Sequence, residues 1–201
     1  MTDSFRDACL EVLQRLTDPI LDQSARRMGI HRDGEDLCIS CFDHAYRVKS
    51  EGIVDEQGGA PTDALGLVLC RYILGYPTEP APQGRKITFR ELGGAGPLVS
   101  SFVRNTNKII SSTYYADANA LKARCIQLHG RVIPSDAGFD VDVRFQALPA
   151  VPLYLQFNAA DDLFPAQTTL LFAETAERYL DMQSLFILGT YLAGRLISQG
   201  L

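Results

Sequence analysis

The sequence has no tryptophan, three methionines and three histidines among its 201 residues. His31, His44 and His129 are far apart in the chain, which leaves little imidazole for a metal centre or a general base. An excess of positive charge is also missing. Lys and Arg number 19 against 24 Asp and Glu, a formal net charge of −5 at pH 7. Such a surface repels phosphate backbones, so nucleic acid is not an expected partner. No long hydrophobic run is present. The stretch Leu185 to Leu196 carries Arg195 and is far short of the roughly 20 apolar residues that span a bilayer, so no membrane association is expected. Met1 to Asp7 has no basic segment followed by an apolar core, so no secretory leader is expected. Gly-x-Ser-x-Gly, the Walker A lysine motif and a strand-linked Gly-x-Gly-x-x-Gly are all absent.

What is there is ordinary for a globular protein: 46% hydrophobic and 21% charged residues. This excludes disordered, collagenous and coiled-coil classes. A chain of this length buries roughly 70% of its unfolded surface and needs no metal or disulfide to fold. The expected organisation is one domain, 1–201, with two ββα-containing halves at about 1–84 and 85–201 as its subdivision. The five cysteines are an odd number in a chain that needs no staples, which predicts reduced thiols and a cytoplasmic location.

Hydrophobic periodicity gives the elements. Phe5, Cys9, Val12, Leu13 and Leu16 form one helical stripe, with Ser4 and Asp7 as a capping-box-like pair. Asp18-Pro19 starts a second helix and Gly29 stops it. Leu37 to Phe42 and Ala45 to Lys49 alternate as a hairpin, followed by a loop from Gly52 to Pro61. Leu65 to Ile73 is a helix ended by Gly75 and Pro77. A short strand at Lys86 to Arg90 leads to a glycine turn and a helix opening at Pro97, with Leu98, Phe102 and Ile109 inward. Ala118 to Leu128 is a further helix, ended by Gly130. Phe139 to Ala147 alternates apolar with polar, predicting a strand with one wet face, and Val151 to Phe157 runs back against it. A loop from Asn158 to Gln167 follows. The last helix starts near Asp181 and buries Leu185, Leu188, Leu192 and Leu196, with Gly189 and Gly194 permitting close approach. Burial of this helix within one chain, and hence a monomer, is favoured over a homodimer. The fold class is α+β: hairpins forming an antiparallel or mixed sheet, covered by helices, with helices at both termini. Asp55-Glu56…Pro61 and Asp161-Asp162…Pro165 echo each other, which duplication and chance recurrence of a ββα unit both explain.

Two residue sets carry chemistry worth weighing. Cys38-x-x-Cys41-x-x-His44 has metal-like spacing, but no second Cys or His pair completes four ligands. In a strand Cys38 and Cys41 also face opposite ways. No metal site and no iron–sulfur cluster are expected from it. The second set is Asp140 and Asp142, on one strand face, with Asp161 and Asp162 in the following loop. A hairpin that gathered them would suit Mg²⁺ or Ca²⁺. A solvated face and an acidic loop are the simpler account of these four carboxylates.

Five motifs occur in order: Phe89-Arg90-Glu91-Leu92-Gly93-Gly94, Gly138-Phe139-Asp140, Leu148-Pro149-Ala150-Val151-Pro152, Asp161-Asp162-Leu163-Phe164-Pro165-Ala166, and Leu171-Phe172 through Tyr179-Leu180. In order and spacing they resemble the prokaryotic family domain of unknown function 3786, common in anaerobes, over most of the chain. The resemblance marks Phe89, Arg90, Glu91, Pro149, Pro152, Phe164 and Pro165 as motif residues. Some members carry an added cysteine-rich module and the label iron–sulfur cluster protein; this chain has no such module. Leu163, Ala173 and Gln183 stand where the family pattern tends to acidic residues, so a carboxylate site would lack several ligands here.

The leading expectation is a non-enzymatic binding or accessory module with a protein or small-ligand partner and no cofactor. The alternative is a hydrolase or transferase that uses the carboxylate cluster with Mg²⁺ or Ca²⁺.

Overall fold

The computed structural model describes residues 2–82, 84–134 and 138–198, with side chains from Phe5 onward. Helix α1 (Thr2–Leu13) already begins at Thr2, so Ser4 lies inside it; the expected Ser4 cap falls outside the described side chains. Helix α2 (Asp18–Met28) follows Thr17 as its N-cap, carries Pro19 in its first turn and ends on Gly29, at φ 67°. Only a residue without a Cβ sits there at no steric cost, and Ile30 N–H closes the turn on Ala25 O at 3.1 Å.

The expected hairpin is β2 (Asp36–Cys41) and β3 (His44–Lys49). It is widened by β1 (Arg32–Asp33) and β4 (Gly52–Asp55), so part of the expected loop after Gly52 is an edge strand. These form one antiparallel sheet in the order β1-β2-β3-β4. Its central turn is unusual. Phe42 has φ 52° at a position where hairpins prefer glycine. Its ring rests on Tyr191 at 5.6 Å, and its N–H bonds Ala147 O at 3.1 Å in the second sheet.

Helix α3 (Asp63–Gly75) is capped by Thr62 and is buried almost all round. The short strand β5 (Lys86–Thr88) passes directly into a 3₁₀ turn, Phe89–Glu91. A second 3₁₀ turn, Gly96–Leu98, then α4 (Val99–Val103), a π turn (Arg104–Lys108) and α5 (Ile109–Thr113) make one continuous helical rod. The wide π turn shifts the inward face. Phe102, Thr106 and Ile110 are buried, while Ile109, expected inward, is only half-buried.

Helix α6 (Ala118–Gln127) ends with His129 at φ 59°, so histidine rather than the expected Gly130 takes the left-handed position. Gly130 serves close approach instead. A Cβ there would lie 2.7 Å from both Phe145 and Val143.

The second sheet is β5-β9-β8-β7-β6, again antiparallel throughout, with β6 (Arg131–Val132), β7 (Val141–Leu148), β8 (Val151–Asn158) and β9 (Gln167–Ala173). So there are two antiparallel sheets, one before residue 84 and one after 85, rather than one sheet. β9 was not expected. It joins β5 to the β7–β8 hairpin. Helix α7 (Met182–Ile197) is capped by Asp181, whose carboxylate accepts Ser184 N–H at 2.8 Å. Leu185, Leu188, Leu192 and Leu196 are buried as expected. Gly189 is pressed on Phe102, where a Cβ would stand 2.4 Å from the ring; Gly194 meets nothing and gives no close approach. One hydrophobic cluster runs through both sheets and the helices α2, α3, α6 and α7. Among the described residues no helix is long and apolar enough to cross a membrane.

Candidate functional site

The four aspartates part company. Asp140 and Asp161 line one hollow of about 590 Å³ with Asn158, Phe164 and Gln167. Both are tied to backbone there. Asp140 Oδ2 accepts Ala159 N–H at 2.8 Å. Asp161 Oδ1 accepts Leu163 N–H at 2.8 Å and Phe164 N–H at 2.7 Å, an Asx turn that holds the loop after β8. Asp162 is exposed and lies outside this hollow. Asp142 is buried on the sheet face expected to be wet. Its cross-strand neighbour Gln156 donates to Oδ2 at 3.1 Å, and Lys86 Nζ lies 3.8 Å from Oδ1 and 4.6 Å above the Tyr154 ring. A row of paired polar groups therefore replaces the expected solvated face. Among the described residues no three His, Cys, Asp or Glu side chains are grouped to hold a metal ion.

The cysteine spacing resolves as strand geometry. Cys38 is exposed, Cys41 is buried, and His44 sits directly opposite Cys41 across the hairpin. Burial pushes the Cys41 thiol up to about 12.

The motif residues are largely architectural. Phe89 stacks on Phe102 at 4.0 Å. Glu91 accepts Thr88 N–H at 2.8 Å and pairs with Arg85 at 3.4 Å, not with Arg90. Arg90 is exposed beside a 300 Å³ cavity lined by Val99, Phe102 and Asn107. Pro149 stands in the β7–β8 turn, and buried Pro152 lies opposite the irregular pairing at Gln146 and Leu148, where a strand tolerates proline. Phe164 and Pro165 are exposed on the loop that Asp161 holds.

A larger concavity lies elsewhere. A cleft of about 670 Å³ runs between α1, α3 and the segment 177–181. Its first wall presents Glu11 and Val12 from α1 and Arg15 from the turn that follows; α3 contributes Arg71 and Leu74; the third wall carries Glu177, Arg178 and Tyr179. Arg71 is the one charged residue within the apolar run Leu65 to Leu74. Its guanidinium pairs with Asp181 at 2.9 Å and donates to Gln183 Oε1 at 3.2 Å. Glu177 is spent on Gly93 N–H at 2.8 Å. The third wall is held firmly. Tyr179 packs among Tyr72 and Tyr76, at 6.3 and 5.4 Å, and its hydroxyl accepts Ala81 N–H at 3.0 Å. The side chains of Arg15 and Arg178 make no ion pair or hydrogen bond among the described residues. Sequence reasoning missed this cleft. Its one local signal was the lone arginine on an apolar helix.

Fold and site together define a small α+β protein of two antiparallel sheets, with an arginine-bearing cleft on its helical side. The chain matches the family described as Domain of unknown function (DUF3786) over residues 21–195, and it belongs to that family. No curated protein and no solved structure matches it. Helix α1, one wall of the cleft, precedes the matched span.

Proposed function

We propose that the protein is a non-enzymatic binding module that holds a small phosphate- or carboxylate-bearing molecule in the cleft between α1, α3 and the segment 177–181. The observation that supports this reading is the convergence of Arg15, Arg71 and Arg178 in one cleft of about 670 Å³ on an acidic chain. Ligand sites usually occupy about 300–1,000 Å³ and use few polar groups to orient their contents. Guanidinium groups suit bidentate recognition of both anion classes. Three carboxylates also face the cleft: Asp181 is held by Arg71 and the α7 cap, Glu177 accepts Gly93 N–H, and Glu11 on α1 has no side-chain partner among the described residues. Gln183 accepts from Arg71 without neutralising it.

Thermal unfolding of the full chain with pyrophosphate or citrate tests this, against chloride at equal ionic strength. A ligand at 100 times its Kd stabilises by about 2.7 kcal/mol. For a chain of this size that raises Tm by roughly 5–10 °C. Arg15→Ala with Arg178→Ala removes the rise without touching the core. A rise that survives in this double variant, or no rise with either probe, contradicts the proposal. A response to one probe only assigns the anion class.

A second reading, divalent-cation chemistry of a hydrolase or transferase, draws support from Asp140 and Asp161 sharing one hollow. It expects Mg²⁺ or Ca²⁺ to raise Tm and Asp140→Asn to abolish the rise, since asparagine still accepts from Ala159 but lacks the charge. An equal cation effect on wild type and Asp140→Asn counts against it.

A further inference from the structure

Helices α1 and α3 meet at Gly66. A Cβ built there would stand 3.0 Å from the Cys9 sulfur, so this thiol occupies the space of an α3 side chain. Cys70 lies one turn beyond Gly66, on the same face of α3, because residues four apart are neighbours on a helix surface. It is fully buried, and it lies close enough to Cys9 for each thiol to perturb the other. Cys9 is only half-buried, so small reagents reach one member of the pair and not the other. The remaining cysteines are differently placed. Cys38 and Cys41 sit on opposite faces of β2, and Cys125 is buried on α6.

We propose that Cys9 and Cys70 are a redox-active pair that closes to an intramolecular disulfide under a peroxide, pinning α1 to α3. The roles follow from the surroundings. The contact with Cys70 lowers the Cys9 thiol, outweighing burial and the Asp63 carboxylate, which raise it. Cys70 is pushed up by the same contact and by burial. Cys9, the thiol of the pair that reagents reach, is therefore the attacking group and buried Cys70 the resolving one. The Cys9 thiolate attacks one peroxide oxygen and the O–O bond breaks. This leaves a sulfenic acid on Cys9, and the departing hydroxide takes the thiol proton as water. The Cys70 sulfur then attacks the Cys9 sulfur. The S–S bond forms, the S–O bond breaks, and a second water leaves with the Cys70 proton. Two thiols lose two electrons and one peroxide is reduced to two waters. The bond joins two walls of the cleft, but the inference does not rest on what the cleft binds.

The test uses the full chain carrying Cys38→Ser, so that the exposed thiol cannot couple two chains. The protein is treated with stoichiometric hydrogen peroxide, denatured in N-ethylmaleimide and mapped by mass spectrometry. The expected result is loss of two hydrogens, protection of two thiols from alkylation, and one cross-linked peptide pair joining Cys9 to Cys70, all reversed by a phosphine reductant. Adding Cys9→Ser leaves Cys70 fully alkylated. Cys9 carried on to sulfinic acid with Cys70 still free overturns the proposal. So does a disulfide between other cysteines, or five-fold excess peroxide leaving both thiols untouched. The cross-link is read without the Cys9 variant, so poor folding of that variant does not blunt the test.

Discussion

Replacing Phe102 by alanine lowers the unfolding free energy by about 4 kcal/mol. The ring is fully buried where the helical rod, the second sheet and α7 meet. It stacks on Phe89 at 4.0 Å with planes 7° apart, and it meets Phe172 and Phe186 at 5.8 Å each. On its remaining side the α7 backbone approaches at Gly189, with no Cβ to fill the space left behind. Truncation therefore loses the transfer energy of the ring and leaves a cavity framed by elements that cannot all collapse onto it. Urea denaturation reads the difference from the midpoint, provided the slope is unchanged. A loss under about 1 kcal/mol, the scale of a surface substitution, would place Phe102 outside the core.

The second large effect lies where α7 meets the first sheet. Arg195 donates Nη1 to Asp43 Oδ1 and Nη2 to Oδ2, each at 2.7 Å, in a bidentate pair whose side chains are 24% and 14% exposed. Breaking a buried pair from one side costs about 3–5 kcal/mol, because the other charge is left desolvated. With some solvent at this pair, Asp43→Asn should cost about 2–3 kcal/mol at pH 7. Burial by itself raises the Asp43 carboxyl. The hydrogen bonds and charge of Arg195 outweigh that and hold it below the usual range. A depressed folded pKa contributes stability that is complete above the unfolded value of about 3.9 and is lost as pH falls through the folded one. The gap between wild type and Asp43→Asn therefore narrows below about pH 4. A gap that stays constant from pH 7 to the acid limit would mean that the pair adds nothing through its charge. The same contact holds the Phe42 turn. A positive φ at a bulky residue persists only when its surroundings impose it, and here Tyr191 and Arg195 reach the turn from α7.

Much of this architecture was legible in the residues. The terminal helices, the Cys41–His44 hairpin and the β7–β8 pair follow from clean periodicity and turn chemistry. β9 does not, because Thr168-Thr169-Leu170-Leu171-Phe172 is covered on both faces and so lacks the alternation that marks a half-exposed strand. The edge strands β1 and β6 have two residues each, too few to show a period. That the strands form two sheets rests on β9 pairing with both β5 and β8, a non-local choice no hairpin announces. The same limit governs the candidate sites. Strand parity put Asp140 and Asp142 on one face, but Gln156 and Lys86, which claim Asp142, lie on other strands. The arginines of the cleft come from three separate segments that meet only in the folded chain.

The cleft is the central claim, and chemical-shift mapping addresses it most directly. Titrating pyrophosphate, then citrate, into the ¹⁵N-labelled full chain at constant ionic strength follows every amide at once. The expected result with at least one of these anions is a saturable set of shifts confined to α1 near Arg15, α3 near Arg71 and the segment 177–181, absent in the Arg15→Ala, Arg178→Ala double variant. Saturable shifts centred on the loop 158–167, or none that saturate anywhere, would contradict it.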